Sequence, residues 1–110
     1  MKQAELRGEL RISVTRRGSL TSGEERFPCV VQDMSDSGFL LMCTRALEVG
    51  QDLDFRCELF PGQVLECRIQ VMHVSEAGVG TKITEIDKRG IRLCQLFLQE
   101  HYSHRQTRWL

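Results

Sequence analysis

The stretch Leu53-Asp54-Phe55-Arg56-Cys57-Glu58-Leu59 alternates apolar and polar residues, and Leu65-Glu66-Cys67-Arg68-Ile69-Gln70-Val71 repeats the alternation shortly afterwards. Such period-two alternation is typical of a β-strand with one buried face. Pro61-Gly62, which favours a tight turn, lies between the two runs. These residues therefore predict a long antiparallel hairpin with one face turned toward a core.

Four further strand-like segments flank this hairpin, and turn signals separate them. Ile12 and Val14 alternate with polar neighbours, and the other three segments cover residues 26–32, 39–43 and 81–86. Small, polar or glycine-containing stretches at 18–23, 47–51 and 77–80 predict the intervening loops. Six strands at regular spacing predict an all-β antiparallel barrel.

The C-terminal part of the chain changes to a helical period. Asp87 is placed to cap a helix over residues 88–104, and an apolar face follows it. That face comprises Ile91, Leu93, Cys94, Phe97, Leu98, His101 and Tyr102. Leu96 falls outside the face, and with the tail Trp109-Leu110 it is a candidate docking patch. We expect a single domain with an arginine-bearing flexible arm over residues 1–9, a barrel over 10–86 and a helix over 87–107.

Composition restricts the classes of function. The 110 residues carry 15 basic and 15 acidic side chains, and the resulting zero net charge argues against non-specific binding to DNA or RNA. The five cysteines form no Cys-x-x-Cys pair, so we expect buried, reduced thiols in the cytoplasm rather than disulfides or a zinc site. No leader peptide or membrane-inserting segment is predicted.

A polar reversal separates the second and third predicted strands. It reads Asp33-Met34-Ser35-Asp36-Ser37-Gly38, and Arg7 and Arg11 precede it. Asp33 offers a carboxylate, Ser35 a hydroxyl, and Gly38 tolerates a positive φ or a close backbone approach. Arginine side chains are rigid forks that suit anions such as phosphates and carboxylates. The combination indicates an anion-binding site.

Arg7-x-x-x-Arg11 followed by Asp33-x-Ser35-x-x-Gly38 resembles the paired signature of the PilZ domain family, the bacterial receptors for the second messenger cyclic di-GMP. The resemblance extends over nearly the whole chain. It implies a six-stranded antiparallel barrel with a C-terminal helix, which agrees with the strand pattern. It also implies a signalling receptor or adaptor that changes shape on binding cyclic di-GMP and acts on a downstream protein partner, with no further cofactor.

The resemblance implies a role for each motif residue. Arg7 and Arg11 would clamp the phosphates and a guanine edge, Asp33 would accept hydrogen bonds from guanine or position an arginine, and Ser35 would bond the ligand. Gly38 would leave room for the ligand. The residues alone leave other interpretations open, namely solvated arginines near a terminus and a turn stabilised by its own Ser or Asp side chain.

Two further residues bear on the site. His73 continues the inward parity of the strand that carries Val71 and ends at a turn, where its ring could stack on a purine or cap the core. Family members often carry a ligand-touching side chain near this place. Arg16 competes with Arg11 as a clamp residue, although it falls within the first predicted strand.

Catalysis and metal binding find no support in the sequence. No nucleophile–base pair, Walker loop or paired-carboxylate motif stands out, so we expect a binding protein and not an enzyme. His101 and His104 are spaced by three residues on the predicted helix, but no third ligand completes a metal site.

Two rival functions remain open at this point. One is a PilZ-like interaction module that binds no nucleotide; Leu6 stands where family members often carry an extra arginine. The other is a small barrel for single-stranded nucleic acid, which needs a basic groove with interleaved aromatic residues. The sequence leaves the oligomeric state, the affinity and stoichiometry of the ligand and the regulated process undetermined.

Overall fold

The computed structural model describes residues 11–109, with side chains for residues 11–102. Six antiparallel strands and one helix, here called α1, follow in chain order: β1 Arg11–Ser22, β2 Glu25–Ser35, β3 Gly38–Met42, β4 Asp52–Phe60, β5 Gln63–Ser75, β6 Gly78–Glu85 and α1 Lys88–Trp109. The strands close into a barrel in the order β1-β2-β3-β6-β5-β4. The predicted barrel with a C-terminal helix is confirmed. The predicted arm over residues 1–9 lies outside the described residues.

The β4–β5 hairpin has the predicted form. Phe60 pairs with Gln63 across the turn, and Gly62 adopts a φ of 75° that favours glycine. The alternating apolar side chains from Leu53 to Leu59 of β4 and the side chains of Leu65, Ile69 and Val71 of β5 are buried in the barrel interior, where Phe55 stacks on Phe39 of β3 with ring centroids 4.4 Å apart. The alternation in sequence therefore becomes the inside–outside alternation of the barrel.

The loop predicted over residues 18–23 is wrong in its position. β1 continues to Ser22, and the reversal lies at Gly23, whose φ is 63°. Gly18 pairs with both β2 and β4, and a Cβ there would lie 2.9 Å from the carbonyl oxygen of Arg56. Position 18 therefore requires glycine because the neighbouring strand packs close to it, and not because the chain turns there. Likewise, the strand predicted to begin at Thr81 begins at Gly78.

The helix begins at its predicted cap. The Gly90 amide donates a hydrogen bond to Asp87 Oδ1 at 2.7 Å, and Leu93, Cys94, Phe97 and Leu98 are buried against the barrel. α1 packs on β1, β4 and β5. Ile91, predicted for the buried face, is 43% exposed, whereas Leu96 lies outside that face as expected. No helix within residues 11–109 is long and apolar enough to cross a membrane.

Five register shifts interrupt the regular pairing. Three of them lie between Ser13 and Arg16 on β1, between Val31 and Asp33 on β2, and between Val71 and His73 on β5. Each places an additional residue on one strand of a pair, which is a β-bulge. A bulge reverses the side on which the following side chains lie. These shifts therefore determine which residues reach the outer surface of the barrel.

Candidate functional site

One transverse row of residues crosses five strands on the outside of the barrel. The register pairs Ser13 with Asp33, Asp33 with Leu40, Leu40 with Gly80, and Gly80 with His73. The residues next to this row on the same strands, such as Ile12, Met34 and Phe39, are buried in the core. Because successive residues of a strand face opposite sides, the row itself faces outward.

A groove of about 280 Å³ lies over this row. The motif residues in its wall are Arg11, Asp33, Ser35 and Gly38, and His73 lines it from β5. The apolar residues Leu40 and Met72 also line it. Five of the six predicted site residues are thus brought together by four different elements of the chain. The sixth, Arg7, lies outside the described residues.

Ser35 closes the reversal between β2 and β3. Its hydroxyl oxygen accepts hydrogen bonds from the amides of Ser37 and Gly38, each at 3.3 Å, and lies 3.4 Å from the Gly38 carbonyl oxygen. The residue is 4% exposed. The hydroxyl therefore makes its hydrogen bonds within the turn. This is the turn stabilised by its own Ser side chain, one of the two interpretations of the motif from sequence. Its contribution to the groove is to hold the motif in shape.

Gly38 is required by β6. A Cβ at this position would lie 3.0 Å from Lys82 Cα and closer still to the Thr81 carbonyl oxygen. The φ of Gly38 is not positive, so its backbone conformation does not require glycine. The close approach of the β6 backbone does. The resemblance implied that Gly38 leaves room for a ligand. In the structure, the backbone of the neighbouring strand β6 lies where a Cβ of residue 38 would be.

His73 does not follow the predicted inward parity. Val71 pairs with Thr81 and His73 with Gly80, so Met72 is an additional residue in a bulge. The bulge turns both Met72 and His73 outward, and Met72 is 45% exposed. His73 therefore lies in the groove wall and does not cap the core.

Arg11 and Arg16 lie in different parts of the molecule. Arg11 lies at the start of β1 and lines the groove. Arg16 lies elsewhere: its guanidinium is 5.1 Å from the centroid of the Phe97 ring and donates a hydrogen bond to the Leu59 carbonyl oxygen at 3.3 Å. Arg16 thus joins β1, β4 and α1 and has a structural role.

The cysteines and the remaining histidines form no further site in the described residues. All five thiols are free; Cys29, Cys57 and Cys94 are buried, while Cys43 and Cys67 are only half-buried. His101 Nδ1 lies 3.0 Å from the Phe97 carbonyl oxygen, so that nitrogen carries the proton and donates. Within the described part of the chain, no three metal-ligating side chains come together. The side chain of His104 lies outside it.

Leu40, Met72 and Gly80 are among the groove residues that sequence reasoning missed. Leu40 forms part of the apolar surface between Asp33 and Gly80. Met72 enters through the bulge, and Gly80 lies beneath the His73 ring. The small and polar residues around Gly80 predict a turn over 77–80, whereas in the structure Gly80 lies inside β6, where a glycine permits close approach of another group.

The family model of the PilZ domain matches residues 5–100, which is most of the chain. The chain belongs to the PilZ domain family. The PilZ family is a family of receptor domains for cyclic di-GMP, and its members are binding or adaptor domains rather than catalysts. The match includes Arg7 and the whole of the groove described above. No curated protein matches the sequence of this PilZ domain.

Solved structures with the same fold include three of distant sequence. The Bacillus subtilis inhibitor of motility (MotI/DgrA) has a TM-score of 0.73 at 12% identity, with 94% of this chain covering 53% of that one. The PilZ domain of CeSA from a cellulose-synthesizing bacterium has a TM-score of 0.66 at 14% identity, over 84% and 97% of the two chains. The Borreliella burgdorferi PlzA protein in complex with c-di-GMP has a TM-score of 0.64 at 16% identity, over 80% and 39%. The PilZ domain described here therefore spans about half or less of two of these proteins.

Proposed function

We propose that this PilZ domain binds cyclic di-GMP in the groove over the transverse row and acts as a bacterial, cytoplasmic signalling receptor. The observation that carries the proposal is the convergence of Arg11, Asp33 and His73 on one groove from separate strands. The groove supplies a guanidinium for a phosphate or guanine edge, a carboxylate for a guanine N1–H and N2–H₂, and an imidazole for stacking. Five free cysteines agree with a reducing compartment.

Arg7 completes the proposed site from the N-terminal arm. The groove of about 280 Å³ is small beside ligand pockets in general, which span roughly 300–1,000 Å³. A dianionic ligand held by Arg11 offers a second anionic group to Arg7, four residues earlier in the chain. Ordering of the arm over the ligand would change the surface presented to a downstream protein, which is an order–disorder switch.

Titration calorimetry with cyclic di-GMP tests the proposal. We expect micromolar binding to the wild-type protein and a loss of at least about tenfold in affinity for Arg11→Ala, because a charge-assisted contact is worth about 1.5–3 kcal/mol. Arg17→Ala is the matched control, since Arg17 is an exposed arginine of the same strand outside the groove. Wild-type protein that releases no heat at high micromolar ligand would overturn the proposal.

The alternative is a PilZ domain that serves as a protein-interaction module without nucleotide. The internal hydrogen bonds of the Ser35 hydroxyl favour it, because they withdraw one expected ligand contact. Under this alternative neither arginine variant changes the titration, and cyclic di-GMP does not bind. The same calorimetric experiment therefore separates the two functions.

A further inference from the structure

The imidazole of His73 occupies the space in which a side chain of residue 80 would begin. The three heavy atoms nearest to a Cβ built on Gly80 are Nε2, Cε1 and Cδ2 of His73, the last at 2.7 Å. No backbone atom is among these three. Gly80 therefore differs from Gly38 and Gly78, where the nearest atoms are the carbonyl oxygens of Thr81 and Leu41.

The backbone of Gly80 does not itself require glycine. Its φ is not positive, and any residue can adopt the extended backbone of a β-strand without conformational cost. A glycine inside a strand costs about 0.5–1 kcal/mol relative to alanine. The one feature that explains Gly80 is thus the ring above it.

The pairing of strands gives the direction in which the ring reaches. His73 on β5 pairs with Gly80 on β6, and Gly80 pairs with Leu40 on β3. A ring whose far edge lies above Gly80 reaches from β5 over β6, in the direction of Leu40. Together with Leu40 and Met72, which also line the groove, it forms an aromatic and apolar surface on the side of the groove away from β1.

We propose that Gly80 is a positioning residue for ligand binding: because it has no side chain, the His73 ring lies across β6 as a preformed stacking surface for a base. The proposal rests on the proposed function for its consequence in binding. The placement of the ring does not depend on ligand. Any side chain at position 80 would raise the ring off the sheet and withdraw the surface.

The ligand-free protein provides the first test. The Hε1 proton of His73 is assigned as the histidine signal that disappears in His73→Ala, and its chemical shift is compared between wild type and Gly80→Ala. We expect the signal to move, while the amide signals of the hairpin β4–β5 stay in place and show an intact barrel. An Hε1 shift unchanged in Gly80→Ala would overturn the placement.

Binding of cyclic di-GMP provides the second test. We expect His73→Ala and Gly80→Ala to weaken binding by a similar factor, roughly 5- to 150-fold, the range for one base–aromatic stack. In the His73→Ala background, Gly80→Ala should change affinity by less than about twofold, because the ring that it displaces is already gone. Full additivity of the two substitutions would overturn the positioning role.

The two tests separate this inference from the proposed function. If the wild-type protein does not bind cyclic di-GMP, the proposed function fails, while the Hε1 signal still decides whether Gly80 places the ring. The double variant His73→Ala/Gly80→Ala also controls for folding. It should unfold at a midpoint no lower than that of His73→Ala, since nothing but the ring lies within 2.7 Å of the new Cβ.

Discussion

Gly38 and Ser35 show how single residues of the motif act on the fold before they act on any ligand. Gly38 lets β3 approach β6, and the Ile83 amide of β6 donates to the Ser37 carbonyl oxygen at 2.8 Å. Ser35 closes the same reversal from inside. Two residues of the Asp33–Gly38 motif thus hold the reversal against the barrel wall, which keeps Asp33 in register with Leu40.

Replacement of Gly38 by alanine should destabilise the protein by about 1–3 kcal/mol, the usual cost of forcing a methyl group into a packed interior. The backbone of β6 stands in the way and cannot rotate aside as a side chain can. Urea unfolding measures the difference. Gly80→Ala is the matched control, because the three atoms nearest to its Cβ belong to the His73 side chain and not to the backbone; equal unfolding midpoints for the two variants would contradict the expectation.

Ser35→Ala should cost about 1–3 kcal/mol, because it leaves the Gly38 amide without its acceptor inside the protein. Ser13→Ala, which removes an exposed hydroxyl from β1, should have little effect on stability. Chemical denaturation compares the two. If Ser35→Ala unfolds with the wild-type midpoint, the hydroxyl does not hold the turn.

At the scale of elements, the helix and the first strand are joined by Arg16. β1 pairs with β4 over Gly18–Thr21, and the preceding part of β1 carries Arg16 toward the end of β4. There the guanidinium bonds the Leu59 carbonyl oxygen and lies over the Phe97 ring of α1. Phe97 also packs edge-on against Phe60 and beside the His101 ring. One cation therefore connects three elements at this end of the barrel.

Arg16→Ala should destabilise the protein by about 1–3 kcal/mol through loss of the cation–π contact and of the hydrogen bond to the carbonyl. Hydrogen exchange of the α1 amides should accelerate more than that of β5, because the lost contacts anchor the helix. Arg17→Ala, at an exposed position of the same strand, should leave both rates unchanged. Equal acceleration in the two elements would contradict an anchoring role for Arg16.

At the scale of the whole molecule, the barrel and its helix bury the thiols of Cys29, Cys57 and Cys94 and half-bury that of Cys67. Burial raises the pKa of Cys29 and Cys67 to about 12, and that of Cys57 and Cys94 to about 11, from an ordinary 9.0. Neighbouring ionisable groups add to the rise for Cys29, Cys67 and Cys94. Near Cys57 the Arg16 guanidinium acts in the opposite direction and lowers the pKa.

These raised pKa values make the fold sensitive to alkali. The neutral thiol is favoured in the folded state, so its stabilisation is complete below about pH 9 and is lost as pH rises through about 11–12. The unfolding midpoint should therefore fall steadily above pH 9. Thermal unfolding from pH 8 to 10.5 measures it, and Cys67→Ala should show a smaller alkaline decline. If the unfolding midpoints of the wild type and of Cys67→Ala fall equally with pH, the Cys67 thiol does not cause the alkaline sensitivity.

Local pattern was sufficient for much of this architecture. The alternation in 53–71 gave the β4–β5 hairpin, Asp87 marked the start of α1, and the motif from Asp33 to Gly38 marked the reversal that borders the groove. These features depend on residues close together in the chain. The loop expected at 18–23 was misplaced because a glycine that packs against a neighbouring strand looks, in sequence, like a glycine in a turn.

What the sequence by itself determined about this PilZ domain is the number and kind of its elements and the identity of its motif, because period, capping and turn chemistry act between near neighbours. The tertiary structure alone decided the outward turn of His73, the position of Arg11 and not Arg16 in the groove, and the place of Gly80 beneath the imidazole. The physical reason is that a bulge depends on the register between strands far apart in the chain. One additional residue reverses every side chain after it, and nothing in the local alternation records it.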